Sequence, residues 1–125
     1  MRLLLDTHVL LWWLLNPESL TERARDAIAD PANGVLISAA SAWEVAIKRS
    51  LGRLEAPDDL ERQIEATRFE PLSITLAHAL RAGSLPRHHN DPFDRMLVAQ
   101  SMVEGLTIVT RDPRLSPYGV PVLAA

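Results

Sequence analysis

The chain of 125 residues contains no cysteine, which excludes disulfides and zinc sites built from thiolates. A chain without thiols is compatible with a reducing cytoplasm, and this is the location that we expect. The chain also has no low-complexity tract, and 47% of its residues are apolar, so we expect a globular fold and not a disordered chain. At this length we expect one domain that spans residues 1–125.

The sequence also lacks an apolar run long enough to cross a membrane. Its most apolar stretch, MRLLLDTHVLLWWLL at the start, has a basic beginning that is typical of a secretory signal. However, Asp6 and His8 interrupt this stretch, and no small-residue cleavage site follows it. We therefore interpret the stretch as folded structure and expect no membrane partner.

An excess of positive charge is missing as well. The formal net charge is −3, from 16 acidic and 13 basic residues, and this argues at first against a nucleic-acid partner. The argument weakens if several of the acids surround bound cations, because bound ions make the effective charge less negative. The position of the acids therefore decides whether the net charge argues against a nucleic-acid partner.

Short apolar runs alternate with helical segments along the chain. Buried strands are predicted at RLLL (2–5), GVLIS (34–38) and LTIVT (106–110), and Pro71 makes FEPLSI (69–74) an edge strand at best. Helices are predicted over residues 8–16, 19–30, 39–52, 57–68 and 75–83, and from Pro92 onward. This alternation predicts an α/β fold with a mostly parallel sheet.

The helix that begins at Pro92 opens with two acids, Asp91 and Asp94. Asp91 directly before a proline is typical of an N-cap, and an acid three residues later completes a capping-box pattern. A structural role therefore explains this pair when it is considered alone. That explanation becomes weaker if other acids lie at the same end of the fold.

Four acids from distant segments are expected at one edge of the sheet. In a parallel sheet, the carboxyl ends of the strands and the N-termini of the crossover helices share an edge. Asp6 ends the first strand, and Glu44 lies early in the helix after the second. Asp94 starts the helix that leads into the strand LTIVT, and Asp112 lies just past the end of that strand. Each has a structural alternative: a cap or turn for the aspartates, and an ion pair with Lys48 for Glu44.

Carboxylates gathered in one cleft need positive charge. Two of them about 5 Å apart repel by roughly 3 kcal/mol at an effective dielectric constant of about 20, so the group must take up protons or bind a cation. Mg²⁺ or Mn²⁺ is expected, because these ions prefer oxygen ligands. Zinc fits less well, since cysteine is absent and the histidines lack a zinc-ligand spacing. Such ions serve phosphodiester hydrolysis.

Four segments of the chain, LLLDTHVLLWWL, SAASAWEVAIKRSLGRL, HHNDPFDRMLVAQS and LTIVTRDPRL, resemble the PIN-domain ribonucleases, specifically the VapC-like toxins of bacterial toxin–antitoxin pairs. The likeness covers nearly the whole chain. It implies a parallel sheet of four or five strands between helical layers, usually in a homodimer. It also implies a Mg²⁺-dependent endoribonuclease, with Mn²⁺ as a substitute, that a cognate VapB-like antitoxin holds inactive.

The resemblance also implies roles for single residues. The acidic quartet that binds Mg²⁺ and activates the attacking water corresponds here to Asp6, Glu44, Asp94 and Asp112. Thr110 fits the hydroxyl of the T-x-D element and would support Asp6 or a metal-bound water. Asp91 is an additional acid, which serves either as a cap or as a contact to a second metal ion.

Other residues near the expected cleft have weaker patterns. His8, His88 and His89 are expected in surface or capping roles and not in catalysis. Basic side chains at this edge either contact RNA phosphates or are simply solvated, and the candidates are Lys48, Arg95 and Arg111.

Two tryptophans, Trp12 and Trp13, lie in a helix that is apolar all round. Such a helix is expected in the core or in an interface, and tryptophan favours interfaces. We therefore interpret the pair as a contact with an antitoxin or a second subunit.

Two other functions stay open at this point. The first is a phosphoryl-transfer domain with an aspartate acceptor, which would favour an acidic pair or a D-x-D element where this chain has DTH. The second is a non-catalytic interaction module that a metal ion stabilises.

Overall fold

Five strands form a single sheet in the computed structural model, which describes residues 1–125. They are β1 (Arg2–Leu5), β2 (Gly34–Ser38), β3 (Glu70–Leu72), β4 (Thr107–Thr110) and β5 (Val122–Ala124). The strand order is β3-β2-β1-β4-β5, and every pairing is parallel. The predicted α/β class is confirmed, with five strands, and the segment that contains Pro71 is an edge strand as expected.

Six α-helices and two short 3-10 helices connect the strands. The α-helices are α1 (Thr7–Leu15), α2 (Glu22–Ala29), α3 (Ala39–Ser50), α4 (Leu60–Glu65), α5 (Leu76–Ser84) and α6 (Pro92–Glu104). The 3-10 helices are Pro17–Ser19 and Pro113–Tyr118. None of the helices combines the length and the apolarity that crossing a membrane requires.

Two of the helices are shorter than the sequence pattern predicts. The helix expected over 19–30 begins only at Glu22, because the side chain of Thr21 accepts a hydrogen bond from the backbone N–H of Ala24 and caps it there. The helix expected over 57–68 is reduced to α4, whose N-cap residue Asp59 makes no capping hydrogen bond and which buries no residue. Only Ile64 of this helix packs against the core, and a helix with so few stabilising contacts does not extend further.

The central strands carry apolar side chains on both faces, so the sheet separates two cores. In β1, Leu3 and Leu5 belong to the core formed with α1 and α2, whereas Leu4 belongs to the core formed with α5 and α6. The same alternation holds in β2 and β4, as the period of two in a strand requires. The fold is therefore a three-layer α/β/α arrangement with both sheet faces covered.

The carboxyl ends of β1 and β4 lie side by side at one edge of the sheet. The backbone N–H of Asp6, directly after β1, donates to the carbonyl oxygen of Val109 in β4 over 3.1 Å. Helix α3 begins directly after β2, and α6 packs against both α3 and β4. This arrangement brings the N-termini of two helices to the ends of two strands.

Candidate active site

A cleft of about 340 Å³ at this edge of the sheet contains all five of the predicted acids. Its lining residues are Asp6, Thr7, His8, Trp12, Glu44, Lys48, Asp91, Asp94, Arg111, Asp112, Pro113 and Arg114. Five acidic side chains therefore share one cleft with three basic side chains, so acidic groups outnumber basic groups by two. The predicted convergence of the acids is thus present in the fold.

Asp6 is held from both sides at the end of β1. Its Oδ1 accepts a hydrogen bond from the backbone N–H of His8 over 2.8 Å and caps α1, while its Oδ2 accepts from Oγ1 of Thr110 over 2.5 Å. The hydroxyl of Thr110 also accepts from the backbone N–H of Asp112 over 3.0 Å. Burial raises the pKa of Asp6, and the Thr110 hydrogen bond partly opposes this. The side chain of Asp6 therefore both caps α1 and lines the cleft.

Glu44 is buried on α3 and has two partners. Its Oε1 accepts a hydrogen bond from Oγ1 of Thr7 over 2.7 Å, and its Oε2 forms an ion pair with Nζ of Lys48. The ion pair that the spacing allowed is therefore present, within the cleft. Helix α3 ends at Ser50, and Leu51 directly after it is 58% exposed. Thr7 was missed, although it directly follows Asp6 in the DTH element.

Asp91 and Asp94 have different roles at the start of α6. Oδ1 of Asp91 accepts hydrogen bonds from the backbone N–H groups of Phe93 and Asp94, so Asp91 is the N-cap. The capping-box interpretation of Asp94 is wrong, because its buried carboxylate contacts Arg114 in the cleft and not the backbone of Asp91. Burial, together with the charges of Asp91 and Asp6, raises the pKa of Asp94 to about 8.

Asp112 is bound by Arg114 at the mouth of the cleft. It opens the 3-10 helix Pro113–Tyr118, and its Oδ1 accepts from the backbone N–H of Arg114 over 2.9 Å. The Arg114 side chain binds both oxygens of Asp112, and Nη2 also lies 3.3 Å from Oδ2 of Asp94. This hydrogen bonding lowers the pKa of Asp112. Arg114 was missed, and its signal was its place two residues after an acid in TRDPRL.

The donors in the cleft fit a hard divalent cation, although they are not preassembled as a ligand set. As the side chains stand, no three histidines or acids are arranged to hold one metal ion. Lys48 and Arg114 bind oxygens of Glu44, Asp94 and Asp112. The excess of carboxylate oxygen and the raised pKa of Asp94 nevertheless match the chemistry of Mg²⁺ or Mn²⁺.

Arg95 is a structural residue, and both sequence interpretations of it are wrong. Its side chain is buried and does not line the cleft, with the residue only 7% exposed. The guanidinium donates to the hydroxyl of Tyr118 and to backbone carbonyl oxygens that include those of Ala82, Leu85 and Pro86. Arg95 therefore joins the end of α5 to α6 and to the last 3-10 helix.

Arg111 and the two tryptophans have partners within the chain. The guanidinium of Arg111 lies 4.3 Å from the ring centroid of Trp12 and donates to the carbonyl oxygens of Ser19 and Ala125. Trp13 packs against the core and Phe69. Trp12 lies in the wall of the cleft, and contact of the pair with a partner protein stays a prediction.

The three histidines near the cleft differ from one another. His8 and His88 are exposed, as expected. The side chain of His89, however, is only 6% exposed, and its Nδ1 lies 2.7 Å from the hydroxyl of Tyr118. The surface or capping role expected for His89 is therefore wrong. Burial and the charge of Arg114 lower the pKa of His89, whose Nε2 lies 3.6 Å from Oδ2 of Asp94.

Comparison with known proteins gives consistent matches across the whole chain. Residues 3–120 match the PIN domain family. A curated relative, Ribonuclease VapC22 from Mycobacterium tuberculosis, is 31% identical over 121 residues, which cover 94% of this chain and 92% of the relative.

Solved structures share the fold at lower sequence identity. VapBC2 from Rickettsia felis, solved with a DNA fragment from its promoter, gives a TM-score of 0.74 at 13% identity, over 99% of this chain and 98% of that one. A toxin–antitoxin complex from Klebsiella pneumoniae gives 0.63 at 21% identity, over 96% and 94% of the two chains. With its parallel sheet and its acids at the carboxyl ends of the strands, the chain belongs to the PIN domain family.

Proposed function

We propose that this chain is a metal-dependent endoribonuclease that cuts RNA by hydrolysing phosphodiester bonds. The observation that carries the proposal is the gathering of five carboxylates from distant segments in one cleft. The cleft gives oxygen donors and uncompensated negative charge, which are the properties of sites that bind Mg²⁺ or Mn²⁺ for this reaction. The curated relative is named a ribonuclease, which supports the same activity here.

Asp6, Glu44, Asp94 and Asp112 are the residues that would hold the cation, which we propose to be Mg²⁺, with Mn²⁺ as a substitute. When bound, such an ion lowers the pKa of a water molecule and polarises the phosphate. Asp91 caps α6 and adds negative charge beside the set. We propose one PIN domain over residues 1–125.

Hydroxyl groups of the chain fix the orientation of two of these acids. Thr110 donates to Oδ2 of Asp6, and Thr7 donates to Oε1 of Glu44. The other oxygen of each carboxylate contacts the backbone N–H of His8 and the side chain of Lys48, respectively. Hydrogen bonds of this kind position ligands before a cation arrives. Lys48 lies in the wall of the same cleft and is partly exposed, where it can pair with a phosphate of the substrate.

The partner that we propose is an antitoxin of the VapB type, which would hold the enzyme inactive. The similar chains from Rickettsia felis and Klebsiella pneumoniae come from a VapBC complex and a toxin–antitoxin complex. In this scheme the chain is the toxin, acts on RNA in the cytoplasm and forms a homodimer. A small neighbouring gene whose product copurifies with this chain would support the pairing.

Cleavage of a labelled RNA by the purified protein tests the activity. We expect Mg²⁺-dependent cleavage that a chelator stops. In Asp6→Asn the cleavage rate should fall by at least about 100-fold, because this change removes a charged carboxylate oxygen that would bind the ion. Asp26→Asn is the matched control, since Asp26 is an exposed acid of α2 outside the cleft.

Three results would contradict the proposal in different ways. Cleavage that survives the chelator, or that Asp6→Asn leaves unchanged, would rule out the metal-dependent mechanism. A rise of the melting temperature with Mg²⁺ but no cleavage would favour the interaction module. Transfer of label from a phosphodonor to Asp6 would favour the phosphoryl-transfer domain.

A further inference from the structure

Arg114 binds two of the acids that the proposed function assigns to the cation. Its Nη2 lies 2.6 Å from Oδ2 of Asp112 and 3.3 Å from Oδ2 of Asp94. Its Nε lies 3.1 and 3.0 Å from the two oxygens of Asp112. One planar group therefore joins a carboxylate that follows β4 to a carboxylate that opens α6.

These contacts use the oxygens that a divalent cation needs. A carboxylate oxygen that accepts a charge-assisted hydrogen bond directs a lone pair at the donor nitrogen. A hard cation seeks the same lone pairs and repels the guanidinium. A divalent cation that Asp94 and Asp112 would help to hold is therefore in competition with Arg114 for the oxygens of these two residues.

The position of the Arg114 side chain allows it to move away from Asp94 and Asp112. It is 54% exposed and lies on a surface 3-10 helix. Its guanidinium donates to Asp112 and Asp94 and to no other group of the chain. Departure therefore breaks ion pairs made by a half-exposed arginine, which contribute little to stability, and the incoming cation replaces Arg114 as the partner of the buried Asp94.

We propose that Arg114 is an internal competitor of the divalent cation, and that metal binding displaces its guanidinium from Asp94 and Asp112. This inference rests on the metal-dependent function proposed above. In this exchange, the positive charge beside the two acids is supplied first by the guanidinium and then by the ion. It also converts a paired positive side chain into an unpaired one at the mouth of the cleft.

Metal affinity of variants tests the competition without any measurement of activity. Titration calorimetry with Mg²⁺ is performed on the wild-type protein, on Arg114→Ala and on Arg23→Ala, which removes an equal charge from the exposed face of α2. We expect Arg114→Ala to lower the Kd by roughly 3- to 10-fold and Arg23→Ala to leave it unchanged. Arg114→Lys should give an intermediate Kd, because it keeps the charge but not the planar fork.

A second measurement follows the side chain itself. In the wild-type protein, the Nε–H resonance of Arg114 should shift during a Mg²⁺ titration, with a midpoint at the Kd from calorimetry. An unchanged Kd in Arg114→Ala together with a static resonance would overturn the inference while leaving the proposed function intact. Absence of Mg²⁺ binding in all the proteins would overturn the proposed function and the inference with it.

Discussion

Arg95 and Arg114 lie near the same acid, Asp94, but the protein binds them in opposite ways. Arg95 follows Asp94 in α6 and is enclosed by neutral acceptors: backbone carbonyl oxygens and the hydroxyl of Tyr118. Arg114 is 54% exposed and contacts only carboxylates. We call the first environment the arginine socket, defined by Arg95 with Ala82, Leu85, Pro86 and Tyr118.

The difference separates a structural contact from a functional one. In the socket, a buried cation meets several fixed acceptors, so removing it leaves polar groups without partners. In the cleft, negative charge exceeds positive charge, and each ion pair is open to exchange with a competing cation. Both regions are polar, but only in the cleft do acidic groups outnumber the basic groups that could pair with them.

The largest expected effect is on stability, and it distinguishes the two arginines. Arg95→Met should lower the free energy of unfolding by about 3 kcal/mol, because buried carbonyl oxygens and the Tyr118 hydroxyl lose their donor. Arg114→Met should change it by less than about 1 kcal/mol. Urea denaturation of both variants measures the difference.

Arg95→Lys serves as the control for charge in this experiment. An ammonium group cannot reproduce the fork of guanidinium donors, so the lysine variant should recover only part of the lost stability. Equal losses in Arg95→Met and Arg114→Met would contradict the distinction between socket and cleft.

The sheet and the gathering of the acids were predictable from the sequence. Apolar runs such as RLLL and TIVT predict buried strands, and parallel topology then places the residues that follow them, Asp6 and Asp112, at one edge. This inference needs only the order of the elements. It does not need the conformation of any side chain.

The partners of the side chains were not predictable in the same way. Arg95 and Arg114 both follow an acid closely in the sequence, and only tertiary packing shows that the former is buried and the latter is exposed. The burial of His89 depends on Tyr118, which lies 29 residues away. The periodicity of apolar residues predicts which face of a helix is buried, but it does not predict contacts between segments that are distant in the sequence.

The second expected effect is a pH-dependent stability that belongs to the cleft. In the folded chain the pKa of Asp94 is raised from 3.8 to about 8, so folding favours its protonated form. This contribution to stability is full below about pH 4 and is lost as the pH rises toward 8. Without divalent cations, the melting temperature should fall across this window relative to Asp94→Asn, by several degrees for each 1 kcal/mol of this contribution.

Comparison with Asp94→Asn is needed because other groups titrate in the same range. The lowered pKa of His89 gives an opposite slope, since stability from neutral His89 is present above about pH 6.5 and is lost below it. Added Mg²⁺ should raise the melting temperature of the wild-type protein more at pH 8 than at pH 6, because it competes with the proton. If the melting temperatures of the wild-type protein and of Asp94→Asn change with pH in the same way, this role of Asp94 is ruled out.

The smallest expected effect concerns Thr110, which joins Asp6 to the backbone of Asp112. Thr110→Val removes the hydroxyl that opposes the rise in the pKa of Asp6, so this pKa should increase further. If ionised Asp6 is required for cleavage, the rate should fall by roughly 10-fold and the acidic limb of its pH profile should move to higher pH. Thr110→Ser keeps the hydroxyl and should restore the profile. A rate loss with an unshifted profile would mean that Thr110 acts only through packing, as a residue of the socket does, and not through the charge of the cleft.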